Sequence, residues 1–314
     1  MSLPLWFGPY GGGDLPRNVK DYGVNAIFFH GFNEKMFNSC ADLGIEAIVE
    51  FKTFRGNYVE HPELIPTGVD GKPIRYGQWL QGVCMSQSAF LAETEQALIK
   101  GLESFKPGGV WLDYLAYGGW SEIVDPDLQE SCFCRDCIDD FCRTAGVEAT
   151  TPAEILGKYQ KQWTEHKCRK IAEYGRLYAG IIKDRLPGAV VGCYMIAYTP
   201  DEYDGALTKI FAQDYSMLEQ SIDVFTPLIY CKQSGRGTDW GRKWLERSPE
   251  MVTKKKVSLI LDVADFPESL EETAEAKVVP WGVQLYAGTS MFQDKEKALT
   301  FKNLTDKIRK NLDQ

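Results

Sequence analysis

The densest chemistry in the chain lies at Asp113 and in three cysteines that follow it. Residues 109–115, Gly-Val-Trp-Leu-Asp-Tyr-Leu, form an apolar run that reads as a buried strand, and Asp113 breaks it near its C-terminal end. A buried carboxylate is costly unless a partner satisfies it or a reaction uses it. A turn rich in Gly and Trp comes next, and then Cys132, Cys134 and Cys137 in the spacing C-x-C-x-x-C. Such thiolates could be three of the four ligands of a tetrahedral zinc. Cys142 and Cys84 are the candidates for the fourth. If residues 136–145 are helical, Cys142 lies more than one turn past Cys137. Cys84 sits in a separate loop, Gln81-Gly-Val-Cys-Met-Ser. The competing reading is reduced buried thiols or one disulfide. A closed four-thiolate zinc would be structural, with no open position for catalysis. An iron–sulfur cluster fits less well, because nothing else in the chain suggests redox chemistry.

Other polar side chains also sit at the ends of apolar runs: His30, Glu50, Lys52, Tyr194, Tyr198, Tyr230, Lys232, Asp262, Asp265 and Gln284. Carboxylates ringed by Tyr and Trp suit sugar chemistry. Glycoside hydrolysis uses two carboxyl groups, one as acid and one as base or nucleophile. Asp113 is the first candidate, and its partner is Asp262 or Glu50. His30, Lys52, Tyr114, Trp120, Tyr194, Tyr230 and Gln284 would bind the sugar, the rings by its apolar faces and the polar groups by its hydroxyls. Each carboxylate also has a purely structural reading. Glu50 could pair with Lys52 or Arg55, and Asp265 could cap the helix that follows it. His61 and His166 lack metal-ligand spacing and read as surface residues. No G-x-S-x-G, H-E-x-x-H or Walker motif is present.

The elements that must position these groups alternate regularly. Strand-like runs begin at Leu5, Asn25, Glu46, Val110, Ala189, Asp223, Val257 and Gly282. They are nearly continuous in apolar residues, as expected of strands buried on both faces. Helical patterns span 33–43, 86–105, 152–186, 202–220, 238–254, 267–279 and 294–312, and 14–22 is at most a turn of helix. Eight strands alternating with helices predict a single α/β domain over residues 1–314, a (β/α)8 (TIM) barrel. A doubly wound sheet fits less well, since no glycine-rich phosphate loop follows the first strand. The long loops come after strands three and four, at 52–85 and 116–151, and the second is a cysteine-rich insertion. They hold Trp79, Trp120 and several Tyr. In a barrel the C-terminal strand ends build the active site, which is where the polar residues cluster.

Composition narrows the partners. The chain has 314 residues, 44% hydrophobic and 25% charged, with a net charge of -9. An acidic chain of pI about 5.1 lacks the basic surface that nucleic-acid binding needs. No apolar run is long enough for a transmembrane helix. No signal sequence is evident and the chain has nine cysteines, so a cytoplasmic location is expected.

Cys84 followed by Cys132-Phe-Cys134-x-x-Cys137-x-x-x-Phe141 resembles the zinc cluster of glycoside hydrolase family 42 β-galactosidases. In that family the C-x-C-x-x-C element also follows strand four, and the fourth thiolate comes from the preceding loop. The resemblance implies Cys84 rather than Cys142 as the fourth ligand. Val110-Trp-Leu-Asp113-Tyr-Leu-Ala-Tyr, Gln213-Asp214-Tyr and Asp223-Val-Phe-Thr-Pro-Leu-Ile-Tyr230 are similar to motifs of a broader set of glycoside-hydrolase-like barrels. Together these motifs span roughly residues 80–235. The chain departs from family 42 at two places. Asp113-Tyr114 stands where that family has Asn-Glu, and Asp262 and Asp265 lie on strand seven where it has a Glu nucleophile. The resemblance therefore implies a barrel, a structural zinc and a carbohydrate site, not β-galactosidase activity. The expected function is hydrolysis of an oligo- or polysaccharide. A barrel that binds saccharide without cleaving it is the alternative. A metal-dependent hydrolase is a weaker third reading, because His30 is the only strand-end histidine.

Overall fold

A computed structural model describes residues 4–74, 82–119 and 121–312. Eight parallel strands close into a barrel in sequential order. They are β1 (Phe7–Tyr10), β2 (Ala26–His30), β3 (Glu46–Lys52), β4 (Gly109–Asp113), β5 (Val190–Met195), β6 (Val224–Ile229), β7 (Lys256–Asp262) and β8 (Gly282–Tyr286). Each coincides, within two residues at either end, with a run expected from the sequence. The expected (β/α)8 barrel is the observed fold.

The outer layer consists of α1 (Glu34–Leu43), α2 (Ser88–Ser104), α3 (Arg135–Ala145), α4 (Pro152–Lys158), α5 (Gln160–Arg185), α6 (Ala206–Lys209), α7 (Tyr215–Leu218), α8 (Trp240–Arg247), α9 (Glu268–Ala274) and α10 (Lys295–Leu312). Local chemistry sets their ends. Asn33 caps α1 by accepting from the Met36 N–H, and Gly44 ends it in the left-handed region at φ 62°. The pattern over 152–186 is two helices, α4 and α5, that meet at Tyr159. Thr151 and Glu154 form a reciprocal capping box at the start of α4. The pattern over 202–220 is broken into the short helices α6 and α7 and a single 3-10 turn. Asp214 caps α7 through the Met217 N–H. Among the described residues no helix is long and apolar enough to cross a membrane.

Aromatic rings close the bottom of the barrel. Trp6, Trp111 and Trp281 pack together with ring centroids 5.5 to 6.3 Å apart. The Trp111 indole N–H donates to Thr226 Oγ at 2.8 Å, which satisfies a buried donor. Gly192 makes room for this ring, since a Cβ there would lie 2.2 Å from Trp111. With the lower barrel filled, a ligand can enter only from the C-terminal end of the strands.

Candidate active site

Strand alternation places Glu50 and Lys52 on the same face of β3. Register does the rest: Glu50 lies beside His30 of β2, and Lys52 lies beside Asp113 of β4. Tyr114 follows at φ 56°, a left-handed conformation that is strained for a residue with a Cβ, and its backbone N–H favours the charged form of Asp113. The chain turns sharply there and leaves Asp113 at the wall of a cavity of about 640 Å³. Glu50, Lys52, Arg55, Tyr114, Glu122, Tyr194 and Tyr230 also line this cavity.

Glu50 is almost fully buried. Its Oε1 lies 3.5 Å from Lys52 Nζ and 3.8 Å from His30 Nδ1. Its Oε2 is buried with no donor in reach among the described residues. A proton on Glu50 resolves this, because the carboxyl then donates to Asp113. Burial first, and next the charge of Asp113, push Glu50 up to about 9. Burial raises Asp113 as well, against the pull of the Glu50 hydrogen bond, the Tyr114 N–H, Lys52 and Arg55. Two carboxyls this close cannot both ionise cheaply. The pair therefore favours a proton on Glu50, beside the Asp113 carboxylate.

Further tyrosines stand on the same cavity. Tyr10 stacks on Tyr286 at 5.4 Å and 25°, and Tyr230 leans on Tyr286 at 5.1 Å. Tyr194 donates to Gln284 Oε1 at 2.7 Å. Gln284 is fully buried under the cavity floor, and its Nε2 has no partner among the described residues. Buried Gln213 fastens the loops above: it donates to the carbonyls of Leu115 and Tyr194 and accepts from the Ile196 N–H.

Not every expected residue joins this group. Asp262 lies outside the cavity lining, and its Oδ1 accepts from the Ala264 N–H at 2.8 Å as the cap of a 3-10 turn. Asp265 does not cap α9, whose capping position is Pro267; it accepts from the Lys232 N–H at 3.0 Å. His30 stands half-exposed outside the lining, and burial with the charges of Lys52 and Arg55 lowers it to about 4. Trp79 and Trp120 lie outside the described residues. His166 is buried rather than a surface residue, stacked on Trp163 at 5.9 Å with Asp140 3.6 Å away. Sequence reasoning missed Glu122. It sits in the loop after β4, lines the cavity, and is raised to about 7 by burial and then by Asp113. A carboxylate in an irregular polar loop has no periodicity to mark it.

The cysteines gather beside this site. Cys84 Sγ lies 3.5, 3.6 and 3.7 Å from the sulfurs of Cys132, Cys134 and Cys137. All four sulfurs lie within 4.8 Å of one another. Tetrahedral zinc with Zn–S bonds of about 2.3 Å sets its sulfurs roughly 3.8 Å apart, so the donor set fits. Cys142 is elsewhere, with its thiol on the Ala149 carbonyl. The cluster joins the loop after β3 to the loop after β4. Phe133 N–H bonds the Thr67 carbonyl, and Thr67 N–H bonds the Cys132 sulfur, across the same seam.

No family model matches the chain, and no curated protein sequence does. Solved structures do match. The glycoside hydrolase domain of PgaB (BpsB) from Bordetella bronchiseptica superposes with TM-score 0.74 and 10% identity, over 96% of this chain and 99% of that one. A β-galactosidase from the psychrophilic Marinomonas ef1 gives 0.66 at 10% identity, over 97% of this chain and 60% of its own. The E323A mutant of Gan42B, a family 42 β-galactosidase from G. stearothermophilus, gives 0.64 at 12%, over 95% and 56%. The chain thus spans nearly all of the PgaB domain but less than two thirds of either β-galactosidase. Its fold is the (β/α)8 barrel that these three proteins share.

Proposed function

We propose that this chain hydrolyses a glycosidic bond of an oligo- or polysaccharide at the C-terminal face of its barrel. The observation that carries the reading is the adjacent carboxyl pair Glu50 and Asp113 on the wall of a cavity rich in aromatic rings. Asp113 is the ionised carboxylate that attacks the anomeric carbon or activates the water that does. Glu50 keeps its proton and holds Asp113 in place. Of the two carboxylates weighed beside Asp113, Glu50 lines the cavity with it and positions it, whereas Asp262 caps a turn. Tyr114, Tyr194 and Tyr230, with Tyr10 and Tyr286, offer ring faces to the sugar, and Lys52 offers its ammonium to hydroxyls. Cys84, Cys132, Cys134 and Cys137 would hold a structural zinc. When bound it fastens two loops together; four thiolates complete its coordination and leave it no part in the reaction.

The test is Asp113→Asn on a panel of aryl glycosides that the wild type cleaves. We expect kcat/KM to fall at least about a hundredfold. Full activity in the variant sinks the proposal. A wild type that binds saccharides in calorimetry and turns none over favours the non-catalytic reading.

A further inference from the structure

The proposed reaction needs a second carboxyl, and Glu50 stands in the wrong place to be that group. Carboxyls that flank a scissile glycosidic bond are about 5 to 9.5 Å apart, with the sugar between them. Glu50 instead touches Asp113 and lies beneath it, one strand layer deeper. No sugar oxygen can pass between two groups that hydrogen-bond to each other. The proton donor to the leaving oxygen must come from elsewhere on the cavity wall. Asp262 is not on that wall.

From the geometry of the cavity we infer that Glu122 is the catalytic acid, which rests on the glycosidase reading above. Glu122 and Asp113 line the same cavity, Asp113 from the end of β4 and Glu122 from the loop beyond it. Gly118, Gly119 and Ser121 of the same loop also line the cavity. Tyr198 fixes that stretch by donating its hydroxyl proton to the Ser121 carbonyl at 3.0 Å. Glu122 makes no ion pair among the described residues, whereas Glu50 lies 3.5 Å from the Lys52 ammonium. Burial and the nearby charge of Asp113 favour its protonated form, as an acid near neutral pH requires.

The electron count closes. As the bond from the anomeric carbon to the leaving oxygen breaks, its electron pair passes to that oxygen, which takes the Glu122 proton. The pair forming the new bond comes from Asp113 itself, or from a water that Asp113 deprotonates. In the first course the Glu122 carboxylate then takes a proton from water, whose oxygen displaces Asp113 from the sugar. In the second, solvent returns a proton to Glu122 and removes one from Asp113. Either course consumes one water.

The experiment compares Glu122→Gln with wild type on 2,4-dinitrophenyl and phenyl glycosides of glucose, galactose, mannose and N-acetylglucosamine. Dinitrophenolate leaves without a proton, and phenolate needs one. We expect E122Q to lose about a hundredfold or more in kcat/KM on the phenyl glycoside and less than about tenfold on the dinitrophenyl one. The alkaline limb of the wild-type pH profile should vanish with it. E122A gives the same contrast should the glutamine variant fold poorly. Equal losses on both leaving groups, or no loss, overturn the assignment while an inactive D113N keeps the glycosidase reading. Full activity in D113N, or a wild type that cleaves none of these glycosides, overturns the reading and the assignment with it.

Discussion

Replacing Glu50 with glutamine should make the protein less sensitive to alkali, by an amount the structure sets. Glu50 is 3% exposed, so solvent screens it little. Burial and then Asp113 raise it from 4.5 to about 9. Between those values the folded chain holds a proton that the unfolded chain has released. Stability from this group is therefore complete below about pH 4.5 and is lost as pH rises toward 9. The slope is at most about 1.4 kcal/mol per pH unit. From pH 5 to pH 8 the ceiling is about 4 kcal/mol; sharing the titration with Asp113 and the contact with Lys52 reduce it to about 2 to 4. The amide of the Glu50→Gln variant is neutral throughout and still offers Asp113 an N–H. Urea unfolding of both proteins at pH 5, 6, 7 and 8 measures the difference. The thiol cluster is common to both and cancels. The variant should gain on wild type by about 2 to 4 kcal/mol across this range. A difference that stays constant within about 0.5 kcal/mol would refute a protonated Glu50.

Metal analysis of the purified protein should find one zinc per chain. In Cys132→Ser the zinc should be lost and the Tm should drop by about 5 °C or more; a wild type without zinc removes the metal from the proposal. Lys167→Met should destabilise by roughly 3 kcal/mol or more, because the fully buried ammonium bonds Glu130 at 2.8 Å and its loss leaves that carboxylate without its ammonium partner. Adding Glu130→Gln to K167M should recover most of the loss in chemical denaturation, and a neutral K167M would contradict the argument.

The barrel was readable because its strands are buried on both faces, so runs such as Ala26–His30 and Val190–Met195 carry a signal that needs no partner to interpret. Register then converts strand-end position into proximity, which is why Glu50, Lys52 and Asp113 could be named together. Asp262 satisfied the same positional rule, yet its carboxylate turns to a backbone N–H two residues on, a choice made by local loop geometry that no strand pattern records. The residue pattern left Cys84 and Cys142 open as fourth ligands. Only the folded chain brings residues 84 and 132 together. His166 looked like a surface residue because its neighbours in sequence are charged; the rings of Trp163 and Phe141 cover it. Glu122 was invisible for the opposite reason, being an ordinary acidic loop residue until the loop folds over the barrel mouth.

Gln213 bears on the cost of seating a ligand in the cavity. Its one amide bonds three backbone groups, at Leu115, Tyr194 and Ile196, and the Tyr117 N–H bonds the Phe211 carbonyl beside it. The rim between β4 and β5 is thereby ordered when the chain folds, not when a ligand arrives. A ligand settling there gives up its own freedom but does not have to freeze that part of the wall, so a larger share of the contact energy remains for holding it in one orientation.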